Sequence, residues 1–152
     1  MIILLLALHV LAAMVWVGGM FFAHQVLRPA IGALEPAIRL PIWRRVFSRF
    51  FPWVWISIGL LLASGYGMVF GQFGGFARVG LHIHLMQGTG ILMMMLFAHL
   101  FFAPWRRFQA AVESTDFITA AKQLAQIRLI VGINLILGIV TIVAGATGRY
   151  WG

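Results

Sequence analysis

The side chains in this 152-residue sequence that could ligate a metal are five histidines, eight methionines and three carboxylates, with no cysteine beside them. His9 and His24 stand 15 positions apart, and so do His84 and His99. At 1.5 Å and 100° per residue, two such residues on one helix are about 22 Å apart along its axis and about 60° apart around it. Each helix therefore offers one imidazole near each of its ends, on a similar side. Neutral imidazole is an axial ligand for haem iron. On that chemistry His9 with His84, and His24 with His99, read as outer and inner sites for one or two b-type haems, with Arg28, Arg106 and Arg107 at one level and Arg78 and Arg149 at the other placed to pair with propionates. Copper is the competing chemistry. Met20 and Met95 precede His24 and His99 by one turn and complete a thioether and imidazole set suited to Cu(I), while His82, with Met86 one turn on, adds donors at the outer level. The three acidic residues, Glu35, Glu113 and Asp116, all fall in connections. No carboxylate pair is available for buried acid–base work, and no catalytic residue is assigned.

The elements that must carry these residues are dictated by composition. A chain that is 62% hydrophobic and 9% charged cannot bury so much apolar surface in one small soluble core. Apolar runs at 2–24, 53–71, 81–103 and 126–147 have the length that a hydrocarbon layer of about 30 Å requires. The first run lacks a basic leader and a small-residue cleavage site, and reads as a retained helix. The formal charge of +8 sits in the short connections, the pattern of a membrane protein and not of a nucleic-acid binder. Arg28, Arg39, Arg44, Arg45 and Arg49 lie between the first two runs, and Arg106, Arg107 and Lys122 between the last two. These connections are expected in the cytoplasm and both termini in the periplasm. From Pro41, residues Ile42, Trp43, Val46, Phe47 and Phe50 share one arc, which predicts a short helix lying in the inner interface. Ser114-Thr115-Asp116 offers capping oxygens for a long last helix over Phe117 to Thr147. Within that helix Asn134 reads as an interhelical hydrogen-bonding residue.

An internal repeat organises the whole. A shift of 75 positions aligns His9 with His84, Met20 with Met95, His24 with His99 and Pro29 with Pro104. His82 has no mate under this shift and reads as a residue that supports a ligand or contacts a substrate. The expected fold is all-α: an integral membrane four-helix bundle of one domain over 1–152, built from two repeated two-helix units of about 1–75 and 76–152, plus the short interfacial helix. The repeat implies a pseudo-twofold along the membrane normal that sets the first and third helices face to face.

The stretches Leu8-His9, Trp16-Val17-Gly18-Gly19-Met20-Phe21-Phe22 and Leu27-Arg28-Pro29 resemble the opening of bacterial proteins with the copper-resistance D (CopD) domain. Arg49-Phe50-Phe51-Pro52-Trp53, Leu81-His82-Ile83-His84-Leu85-Met86 and Pro104-Trp105-Arg106-Arg107 are similar to a short, single-domain branch of that group. The first-helix pattern also resembles the HemJ type of protoporphyrinogen oxidase, a four-helix membrane protein associated with haem b. His82 matches the histidine of that family's third-helix Leu-His-x-Lys motif, His84 departs from its lysine, and its Asn-Glu-Pro feature is absent because Leu135 follows Asn134. The first resemblance implies copper uptake or tolerance, and the second implies haem binding.

The reading expected from the residues is therefore a cytochrome-like b-haem protein of the bacterial inner membrane, acting in transmembrane electron transfer or as a membrane oxidoreductase with a quinone or other redox partner. CopD-like copper binding or transport is the alternative, and a non-catalytic assembly subunit the third reading. The lipid bilayer is the expected partner, nucleic acid is not expected, and glycine-containing helix faces suit a homodimer.

Overall fold

In a computed structural model, in which residues 1–151 are described, the chain is all-helical, with no strand among those residues. Four helices are long and apolar enough to cross a membrane: α1 (Ile2–Ala30), α2 (Pro36–Gly71), α3 (Leu81–Phe102) and α5 (Phe117–Thr147), with the short α4 (Pro104–Glu113) continuing α3 after a break. The multi-pass membrane architecture expected from composition is thus present. Each long helix packs most extensively on its neighbour in sequence, α1 on α2 and α3 on α5, and α1 also packs on α5.

The two prolines that share a repeat position are handled differently. Proline removes one backbone donor, and its ring collides with the carbonyl four residues earlier. At Pro29 the preceding segment Phe22–Leu27 widens into a π-helical turn, in which Arg28 N–H reaches back to the Ala23 carbonyl, and the helix continues to Ala30. At Pro104 the helix breaks instead. Ala103 takes φ −115° and ψ −83°, outside the helical region that a residue before proline avoids, and α4 starts in a new direction.

The stretch after Pro41 is not a separate interfacial helix. It is the first part of α2, which runs unbroken for 36 residues through both Pro41 and Pro52. The carbonyls those prolines orphan belong to Ala37 and Ser48, both exposed residues that water can serve. The expected aromatic arc exists but faces protein. Trp43, Phe47 and Phe51 stack in series, at 4.9 and 5.1 Å between ring centroids, and Phe47 and Phe51 meet Trp105 edge-on at 5.9 and 5.1 Å. Phe108 of α4 is fully buried against the same cluster. A helix of 36 residues is about 54 Å long, well beyond a hydrocarbon layer of about 30 Å. The surplus lies at the end of α2 that carries Arg39, Arg44, Arg45 and Arg49. Together with α4 and the first turns of α5 it forms a stub with an aromatic core, across which Arg44 and Glu113 make an ion pair.

Helix α5 begins and ends where the sequence places it. The Asp116 carboxylate accepts a hydrogen bond from the Thr119 backbone N–H at 3.0 Å, capping the first turn. At mid-height Asn134 is buried and donates from Nδ2 to the Met93 carbonyl at 3.1 Å, the interhelical bond anticipated for it.

Candidate functional site

The face-to-face histidine tiers expected from the repeat do not form. The first and third spans are not a packed helix pair; Trp16 and Phe97 join them edge-on at 6.2 Å near mid-height. Helix α1 turns its histidine at the outer level toward α2. His9 is half-buried, with Nδ1 2.9 Å from the Ser64 hydroxyl, which itself donates to the Leu60 carbonyl at 2.5 Å. Gly65 lets the ring sit close, since a Cβ there would lie 3.2 Å from His9 Cε1. His84, the intended mate, is exposed, with its ring 6.1 Å from that of Phe76. Nothing in the sequence spacing pairs Ser64 with His9.

The inner level is divided more sharply. Met20 is 2% exposed whereas Met95 is 58% exposed, and His99 is exposed as well. His24 is half-buried against α5, where a Cβ on Gly132 would lie 3.3 Å from its Nε2. The contrast between a π turn before Pro29 and a break before Pro104 accompanies this loss of equivalence. A four-ligand set of Met20, Met95, His24 and His99 is therefore not assembled. Arg28 lines a cleft beside His24, and Arg106 is exposed, its guanidinium carbon 5.4 Å from the centre of the Phe102 ring. Among the described residues no three of His, Asp or Glu gather into a metal-binding group.

Two other groupings do form. The first is at the outer end, where His82 and Met86, four residues apart, share the face of α3 that meets the end of α5. The Met86 sulfur would be 3.1 Å from a Cβ on Gly145, and the His82 side chain lies directly over Gly148. The imidazole curls back over Gly80, within 2.9 Å of where a Cβ would stand, and its ring is 6.4 Å from that of Trp151. Glycine at each of these three places opens the space for the side chains. Slightly deeper, Gln87 donates to the Tyr66 hydroxyl at 3.3 Å. Tyr66 is two residues from Ser64, so His9 lies near the depth of Gln87 or slightly beyond it, about 8–10 Å or between one and two turns inside His82.

The second grouping, at the opposite end, is a cleft of about 440 Å³ lined by His24, Gln25, Arg28, Gly32, Arg39 and Arg128. Arg39 donates to the Gly32 carbonyl at 2.8 Å, and the Arg128 guanidinium lies over Trp43 at 5.6 Å. Arg39 lies in a connection of the sequence and Arg128 within the apolar run 126–147; only the fold brings them together. The signal for it was Arg128 itself, a charge at membrane depth.

A family model described as copper resistance protein D, CopD, matches residues 44–147. No curated protein and no solved structure matches the chain.

Proposed function

The chain belongs to the copper resistance protein D family, and from that premise we propose that it binds copper as Cu(I) and passes it into the membrane at the outer end of the bundle. The observation that carries this reading is the placement of His82 and Met86 on one face of α3, over Gly148 and Gly145 respectively. Imidazole and thioether are soft donors that favour Cu(I) over the hard cations, and the two are one helical turn apart on a single face. Copper here is cargo. His84 offers a donor at the exposed mouth, and His9, held by Ser64, offers the next imidazole about one to two turns inward. Successive weak sites of this kind allow a soft ion to step without being trapped. The duplicated two-helix unit and the placement in a bacterial inner membrane, with the arginine-bearing connections in the cytoplasm, form part of the same proposal.

The test is a Cu(I) titration of the purified protein against a chromophoric chelator, with elemental analysis of the loaded form. His82→Ala and Met86→Leu are expected to weaken binding by at least the roughly 10–100-fold that loss of an outer-shell partner brings. Copper binding that survives in the double variant would overturn the assignment. A Soret band lost on His9→Ala would move it to the haem b alternative.

A further inference from the structure

The arginine-lined cleft lies at the other end of the bundle from the proposed copper site and is independent of it. Three guanidiniums, from Arg28 at the end of α1, Arg39 on α2 and Arg128 on α5, converge on one cavity together with the imidazole of His24. No carboxylate lines it. Of the three acidic residues in the chain, Glu113 is paired with Arg44, Asp116 caps α5, and Glu35 is exposed at the start of α2, outside the lining of the cleft. The Nε atoms of Arg39 and Arg128 and Nδ1 of His24 are buried without a hydrogen-bond partner among the described residues. Like charges held together at the edge of a low-dielectric layer repel strongly unless an anion joins them.

The shape is as informative as the charge. The π turn over Phe22–Leu27 carries His24 and Gln25 to the cleft wall, and Gly32 and Arg39 close it from the link into α2. A narrower apolar recess, lined by Ala23, Trp43, Phe47 and Val131, adjoins it and shares His24, Arg28 and Arg128. Planar guanidinium forks from three directions suit a tetrahedral oxyanion, whose oxygens accept paired hydrogen bonds. We propose that this cleft binds a phosphate group, supplied either by the headgroup of an anionic phospholipid in the adjacent leaflet or by free phosphate.

The experiment measures thermal unfolding of the full chain under two conditions. One arm uses nanodiscs of phosphatidylcholine with and without phosphatidylglycerol; the other uses protein in neutral detergent titrated with inorganic phosphate. A rise in Tm with phosphatidylglycerol alone identifies a lipid, and a rise with inorganic phosphate alone identifies the free anion; both support the site. Arg28→Gln and Arg39→Gln should each weaken the apparent affinity by roughly tenfold or more, the loss of a charge-assisted hydrogen bond. Arg128→Lys, which keeps the charge and the contact over Trp43 but loses the fork, should weaken it as well and guards against a variant that merely misfolds. Arg45→Gln, exposed and outside the cleft, should leave the response unchanged. A Tm that rises in neither arm, or that rises equally in the cleft variants and in Arg45→Gln, would overturn the proposal.

Discussion

Among individual residues, burial and partners separate positions that the sequence makes look equivalent. His9 and His84 share a repeat position, yet one is tied to Ser64 and the other is exposed beside Phe76. Met20 and Met95 share another, and one is core while the other faces outward. A repeat specifies residue types and spacing along the helix, but the rotation of each helix about its axis depends on its packing partners. Those partners were not readable from a chain in which nearly every span residue is apolar. The cap of α5 was legible to within three residues, because capping is local. The hydrogen bonds that Asp116 accepts from Thr119 hold its carboxyl below the usual carboxylate range. A carboxyl depressed in the folded state stabilises above its unfolded pKa, and that contribution is lost as pH falls through the folded value. Acidification below the ordinary carboxylate range should therefore fray the first turn of α5, and Asp116→Ala should remove this pH dependence. Amide exchange at Thr119, followed against pH in both proteins, checks the expectation.

At the level of elements, all four spans were foreseen from hydrophobic run lengths, and α5 was foreseen to within its ends. The interfacial helix was misjudged for a physical reason. An amphipathic arc reports only that one face leaves water, and lipid and protein are equally good destinations. The sequence after Pro41 shows the arc of Trp43, Val46 and Phe47 but not that α4 would fold back to cover it. Pro104 is what allows this, since the break at Ala103 redirects the chain toward α2. Close helix approach is likewise specific to certain glycines. A Cβ on Gly19 would fall within the Phe50 ring, so α1 and α2 are locked at that height by the lack of a side chain. Gly19→Ala should destabilise the bundle by about 1–3 kcal/mol through overpacking. Gly18→Ala, with open space around the added methyl, should be near neutral. Thermal unfolding of both variants in one detergent provides the comparison.

For the whole molecule, the charge distribution sets a direction across the membrane. The cations on the stub and the cleft face one side, and Arg78 and Arg149 are alone on the other. The proposed orientation is directly measurable because the chain contains no cysteine to confuse thiol labelling. A cysteine at Phe73, which is 42% exposed in the connection after α2, should react with a membrane-impermeant maleimide on intact spheroplasts. One at Ser114, in the turn before α5, should react only after lysis. Reversal of that pattern would invert the topology and place the proposed copper site in the cytoplasm. The division of chemistry between the two ends, soft neutral donors at one and guanidiniums at the other, was only half visible beforehand. Spacing located the histidines by level, but the cleft joins residues from three helices and needed the fold to appear.

The aromatic stub gives this small protein two kinds of cohesion. Between the lipid-facing stretches of the helices there is no water to expel, so those contacts rest on close fit and a few polar bonds. Around Trp43, Phe47, Trp105 and Phe108 there is water to expel, and the ordinary hydrophobic effect draws α2, α4 and α5 together. The stub therefore acts as a water-driven clasp on the ends of a lipid-solvated bundle. Urea or cold, which weaken apolar association in water, would undo the clasp while leaving the spans intact.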